Sequence, residues 1–253
     1  MVKPITKQAA ATQHEVRIPI KEAVLDGELS LPREATGIVL FAHGSGSSRH
    51  SPRNQQVAEV IREQGVGTLL FDLLTKEEEA VDMYTSHLRF DIGLLARRLV
   101  AATHWSKEQA TTRHLRVGYF GSSTGGAAAL VAAAEIGAEI GAVVSRGGRP
   151  DLAGADLERV ISPTLLIVGG LDDVVIQLNK EAYRKLQCKK ELKIVAGATH
   201  LFEEPGKLDE VAKLSAAWFQ YFLQPWLQEE TSNGRASRQV RIPHSSLFSD
   251  FGE

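Results

Sequence analysis

Ser123 stands at the centre of Gly121-Ser122-Ser123-Thr124-Gly125, with a strand-like run at Leu115–Phe120 before it and an Ala-rich helical run after it. A serine on a tight strand-to-helix turn presents its hydroxyl from a strained backbone that only small neighbours permit. The helix start beside it favours developing negative charge. That is the setting of a nucleophile, and a nucleophilic serine needs a base, which in turn needs an orienting acid. His200 follows the last strand pattern, Leu192–Val195, through Gly197-Ala198-Thr199. Asp172 and Asp173 follow Thr164–Val168 and the pair Gly169-Gly170. Neighbouring side chains diverge, so only one of these two can serve, and the order of candidates is Asp172, then Asp173, then Asp151. Of eight histidines only His43 and His200 directly follow buried strands. His43 precedes the serine and reads as a residue holding the loop after Gly37–Ala42.

Attack on a carbonyl also requires two backbone N–H groups for the oxyanion. Thr124, directly after the nucleophile, supplies one candidate. The loop His43-Gly44-Ser45-Gly46 supplies the other, Ser45 first and Gly46 second. Arg49, Arg53, Arg146 and Arg149 form a potential positive rim, although such arginines more often pair with local carboxylates. Other chemistries fail on their spacing. Gly44-Ser45-Gly46-Ser47-Ser48-Arg49 breaks the dinucleotide fingerprint at Arg49, and neither a phosphate-binding G-x-x-x-x-G-K-[ST] nor H-E-x-x-H occurs. No cofactor and no metal are expected.

Elements that would position these residues alternate along the chain. Val16, Ile18 and Ile20 alternate with polar or Pro positions, and Ala23–Leu31 follows, with Asp26-Gly27 suited to a hairpin turn or bulge. These read as an antiparallel start. Gly37–Ala42, Thr68–Asp72, Leu115–Phe120, Gly141–Ser145, Thr164–Val168 and Leu192–Val195 are strands, most of them continuous apolar runs of the kind covered on both faces. Helical patterns lie between them at about 54–64, 90–103, 124–136 and 178–186, and a last one spans 207–223. Residues 75–87 read as a long acidic loop. The alternation predicts an α/β fold with a doubly wound, mostly parallel sheet, whose ligands bind at the carboxyl ends of strands. Every distinctive Gly, Ser, His and Asp cluster falls at such an end.

The 253 residues suit one α/β domain, and 43% hydrophobic residues suffice for a core. Residues 1–13 read as a flexible arm, 14–226 as the folded domain and 227–253 as a polar tail. In that tail Val240-Arg241-Ile242-Pro243 repeats Val16-Arg17-Ile18-Pro19. A formal charge of −2 gives no basic footprint for nucleic acid or anionic membrane. The single cysteine, Cys188, excludes an internal disulfide framework. No secretory h-region or run of 18 apolar residues is seen, so a cytoplasmic protein without membrane contact is expected.

Taken together, His43-Gly44-Ser45-Gly46, Gly121-Ser122-Ser123-Thr124-Gly125, Gly169-Gly170-Leu171-Asp172 and Ala198-Thr199-His200 resemble the α/β-hydrolase superfamily over about Val16 to Leu223. Within it the chain is most similar to the dienelactone-hydrolase-like group. Its Ser145–Ala153 stretch resembles a branch whose members occur joined to phosphoribosyltransferase-like domains. The resemblance implies a serine hydrolase with the triad Ser123, Asp172 and His200, acting on a small-molecule ester, thioester or lactone. Dienelactone hydrolases proper resemble a cysteine pattern, so Ser123 points to carboxylic esters. Only 19 positions separate Ser145 from Thr164, too few for a large lid domain. The competing reading is a non-catalytic interaction module that keeps the fold. A homo-oligomer is compatible with either.

Overall fold

The structure, a computed structural model, describes residues 12–224. Most of the expected arm, the polar tail and the Val240–Pro243 repeat lie outside the described residues. Strand β1 (Thr12–Pro19) takes in Thr12 and Gln13, which the sequence placed in the arm. It pairs antiparallel with β2 (Val24–Leu31).

The turn joining them is Ile20–Ala23, closed by Ile20 N donating to Ala23 O at 2.8 Å. Asp26-Gly27 is therefore not the turn. It lies within β2, opposite Arg17 and Val16. A Cβ on Gly27 would come within 3.1 Å of both Phe71 and Val16, so this glycine serves the close approach of strands.

Six parallel strands continue the sheet: β3 (Gly37–Ala42), β4 (Gly67–Phe71), β5 (Arg116–Ser122), β6 (Ile140–Arg146), β7 (Thr164–Gly169) and β8 (Lys190–Val195). The spatial order is β1-β2-β4-β3-β5-β6-β7-β8. Residues of β3 alternate between two cores, as the pleat requires. Ile38, Leu40 and Ala42 pack with helices α3 (Ile92–Glu108), α4 (Thr124–Ile136) and α5 (Asp173–Lys185). Val39 and Phe41 face α1 (Pro52–Glu63) and α6 (Lys207–Leu223), where Val57, Ile61, Trp218 and Phe219 are buried. Helices on both faces of this mostly parallel sheet make the α/β-hydrolase fold.

The acidic segment after β4 is a helix, α2 (Lys76–Thr85), and not a loop. Thr75 Oγ1 accepts from Glu78 N at 3.2 Å while the Glu78 carboxylate accepts from Thr75 N at 2.8 Å. This reciprocal cap, with Glu77, Glu78 and Glu79 in the first turn, makes the negative charge favourable to a helix start. Between β6 and β7 the chain forms only a 3-10 segment, Pro150–Arg159, so no lid domain is inserted at that connection. Half-buried Cys188 points its thiol at Thr164 Oγ1, 3.7 Å away. Among the described residues no helix is long and apolar enough to cross a membrane.

Candidate active site

Ser123 joins β5 to α4 with φ 51° and ψ −122°, a conformation a side-chain-bearing residue holds only under tertiary constraint. Its flanking glycines explain how. A Cβ on Gly125 would overlap the carbonyl oxygen of Ala42, and one on Gly121 would overlap that of Gly125. Both positions let α4 start directly against β3 and β5. Ser123 occupies the N-cap position of α4, yet its hydroxyl makes no capping bond. Its carbonyl instead accepts from Gly126 N at 3.0 Å and Arg149 N at 3.1 Å, which fixes the turn and leaves the hydroxyl for other work.

His200 and Asp172 meet at the ends of β8 and β7. His200 Nδ1 lies 2.6 Å from Asp172 Oδ2. Asp172 is the N-cap residue of α5 but makes no side-chain cap, and its carboxylate is turned to the histidine. Asp173 begins α5 and is exposed. Asp151 is held by Arg149 through two bonds, Nε to Oδ1 at 2.9 Å and Nη2 to Oδ2 at 2.7 Å. Of the three carboxylates, only Asp172 is brought to His200. Ser123 and His200 line one cavity of about 220 Å3, together with Gly44, Ser45 and Ser47. Among the described residues no hydrogen bond joins Ser123 to His200. Such contacts commonly tighten only with substrate bound.

The loop after β3 forms the other wall. A Cβ on Gly44 would meet that of Ser123 at 3.0 Å, so glycine lets the loop press against the serine. Ser45 lines this cavity and a smaller neighbouring one, whereas Gly46, at φ 69°, lines only the smaller one. Among the described residues the N–H groups of Ser45 and Thr124 donate to no other group. His43 holds this loop from within. Its Nδ1 lies 3.0 Å from Gly44 O and its Nε2 accepts from Leu73 N at 3.0 Å. This pairing sets the proton on Nδ1. Burial, the largest influence, pushes the imidazole pKa below its ordinary value and so favours the neutral ring.

Three of the four rim arginines pair with carboxylates: Arg49 with Asp72, Arg53 with Glu203 and Arg149 with Asp151. Arg146 differs, because its guanidinium is buried against Asn54 and the Phe202 ring. Residues of the site that sequence reasoning passed over are Ser51, which caps α1, and Leu201, beside the histidine. The run Ser51-Pro52 is a helix-start signal that marks the first of them. Leu201 carried no such signal.

The model of the dienelactone hydrolase family matches residues 25–229. A solved Anabaena variabilis protein described as a dienelactone hydrolase is 58% identical with a TM-score of 0.84, over 85% of this chain and all of that one. A Pyrococcus furiosus esterase shares 18% identity and a TM-score of 0.70 over 84% of this chain and 94% of its own, a likeness of fold. Two Mycobacterium tuberculosis relatives with a provisional phosphoribosyl transferase name are 56% identical over 205 residues, 81% of this chain. The chain spans only 45% of the length of those relatives.

Proposed function

This chain belongs to the dienelactone hydrolase family, and from that premise we propose that it is a serine hydrolase of small carboxylic esters. The observation that carries the reading is a single cavity shared by the strained Ser123 and a His200 already bound to Asp172. In the proposed cycle His200 Nε2 takes the Ser123 proton as Oγ attacks the ester carbonyl. Asp172 holds the Nδ1 tautomer and stabilises the imidazolium. The Ser45 and Thr124 amides receive the oxyanion. Collapse expels the alcohol, which takes its proton from His200, and leaves an acyl-serine. A water activated by the same histidine then releases the acid. Thioesters and lactones suit the same groups.

The modest cavity and the short Pro150–Arg159 segment favour small substrates over long acyl chains. The test is hydrolysis of p-nitrophenyl acetate by wild type and Ser123→Ala. A loss approaching about 10⁶ in turnover is expected on removing a triad nucleophile. Undiminished turnover in the variant rejects the proposal, and with no turnover even in wild type the interaction-module reading is preferred.

A further inference from the structure

Arg146 ends β6 beside Ser122 and Ser123, and its backbone oxygen accepts from Ser123 N at 3.3 Å. The residue is only 6% exposed, yet it lines the cavity that holds Ser123 and His200. Its surroundings do not neutralise it. Nη2 donates to Asn54 Oδ1 at a long 3.4 Å, the guanidinium carbon sits 5.8 Å from the Phe202 ring centre, and buried Nε has no partner. Among the described residues no carboxylate forms an ion pair with it. Burial, and then the nearby charge of Arg53, pushes its pKa down to about 10, so it remains charged at neutral pH. A buried, uncompensated guanidinium is costly for a fold, and a cavity with such a cation in its wall is built to receive an anion. The other lining groups agree with this. Ser47 and Ser51 line the same cavity, as does Arg53, whose charge is shared with Glu203, and Ser51 caps the N-terminus of the 12-residue α1, whose dipole adds positive potential.

We propose that Arg146 is the specificity-determining cation of this cavity, and that the substrate carries a carboxylate or phosphate group that Arg146 holds while Ser123 attacks the ester. Its planar fork suits two anionic oxygens at once. The word ester here rests on the hydrolase reading above, whereas the anion site stands on Arg146 and its neighbours.

The test compares kcat/KM for p-nitrophenyl butyrate with that for mono-p-nitrophenyl succinate, which differ by one carboxylate, at constant ionic strength. Wild type should favour the succinate ester by about ten-fold or more, the scale of a hydrogen bond to a charged group. Arg146→Gln should erase that ratio and Arg146→Lys should restore part of it, a pattern that a merely structural arginine would not give. In parallel, inorganic phosphate and succinate are titrated into Ser123→Ala by calorimetry, with chloride as control. The tighter anion identifies the group recognised. A wild-type ratio near one, a ratio that survives Arg146→Gln, or no saturable binding of either anion overturns the proposal. Should Arg146→Gln fail to fold, the wild-type ratio and the calorimetry decide alone. If neither ester is hydrolysed, the hydrolase reading fails, and anion binding to Ser123→Ala still supports the site.

Discussion

The Asp172 carboxylate and the His200 imidazole lie 2.6 Å apart although 28 residues separate them in sequence. Strands β7 and β8 run parallel with Gly169 opposite Val195, and the chain beyond them stays in contact, Leu171 N donating to Ala198 O at 2.9 Å. A Cβ on Gly169 would press on the Thr199 carbonyl, so that glycine lets the two loops close.

Asp172→Asn should therefore lower ester turnover by up to about 10⁴, because the amide favours the wrong histidine tautomer. Exposed Asp173→Asn should change it less than about three-fold, within the range of surface substitutions. Steady-state kinetics of the two variants checks this, and the reverse ranking would move the orienting role to Asp173.

Strain at Ser123 has a measurable consequence. Its φ of 51° is one that glycine adopts freely. Ser123→Gly should abolish turnover while stabilising the fold by about 1 kcal/mol, the lower range of such backbone strain. Thermal unfolding should rise by about 2–4 °C for a chain of this size. A lower melting temperature would show that the turn is not under strain.

The glycines of the turn separate two effects. Gly125→Ala drives a methyl into the Ala42 carbonyl, so a loss of about 3 kcal/mol or more is expected. Gly137 also has a positive φ, 71°, with ψ −126°, but open space around it, so Gly137→Ala should cost only backbone strain, about 1–2 kcal/mol, the lower part of the range for such conformations. Denaturant titration of both variants measures the difference, and equal losses would refute the steric account of Gly125.

A structural ion pair gives the fold a pH dependence. Buried Arg98 donates to both oxygens of Glu78, at 2.6 and 2.5 Å. Chiefly through that bond, the Glu78 carboxyl is held below its ordinary value of 4.5. A depressed carboxylate contributes its stability above the unfolded value and loses it as pH falls through the folded one. Glu78→Gln should thus cost about 2 kcal/mol at pH 7, reduced from a fully buried pair because Glu78 is partly solvated. That cost should shrink steadily below about pH 4.5. A pH-independent difference between the two proteins would show that the pair does not stabilise through charge.

Much of this organisation is legible in the residues. Apolar runs such as Gly37–Ala42 specify strands covered on both faces, and β3 indeed separates two cores. The α2 helix was hidden because three consecutive glutamates look like solvated loop, although Thr75 and Glu78 carry the spacing of a capping box. Asp26-Gly27 misled in the opposite direction: a turn-forming pair was used for the room that Phe71 needs in the neighbouring strand. At the site, chain order alone leaves Asp172 and Asp173 open. The choice depends on where α5 begins, and that boundary, at Asp173, falls five residues before the helix start read from apolar periodicity. The contrast between Arg146 and the three paired arginines is tertiary and has no signature in the sequence.

The most direct measurement is the site of covalent capture. Intact protein is treated with a serine-directed fluorophosphonate, and the adduct is located by peptide mass spectrometry. The expected result is one stoichiometric adduct on Ser123, absent from Ser123→Ala and formed far more slowly in His200→Ala. An adduct elsewhere, or no adduct from a protein that still turns over esters, would contradict Ser123 as the nucleophile.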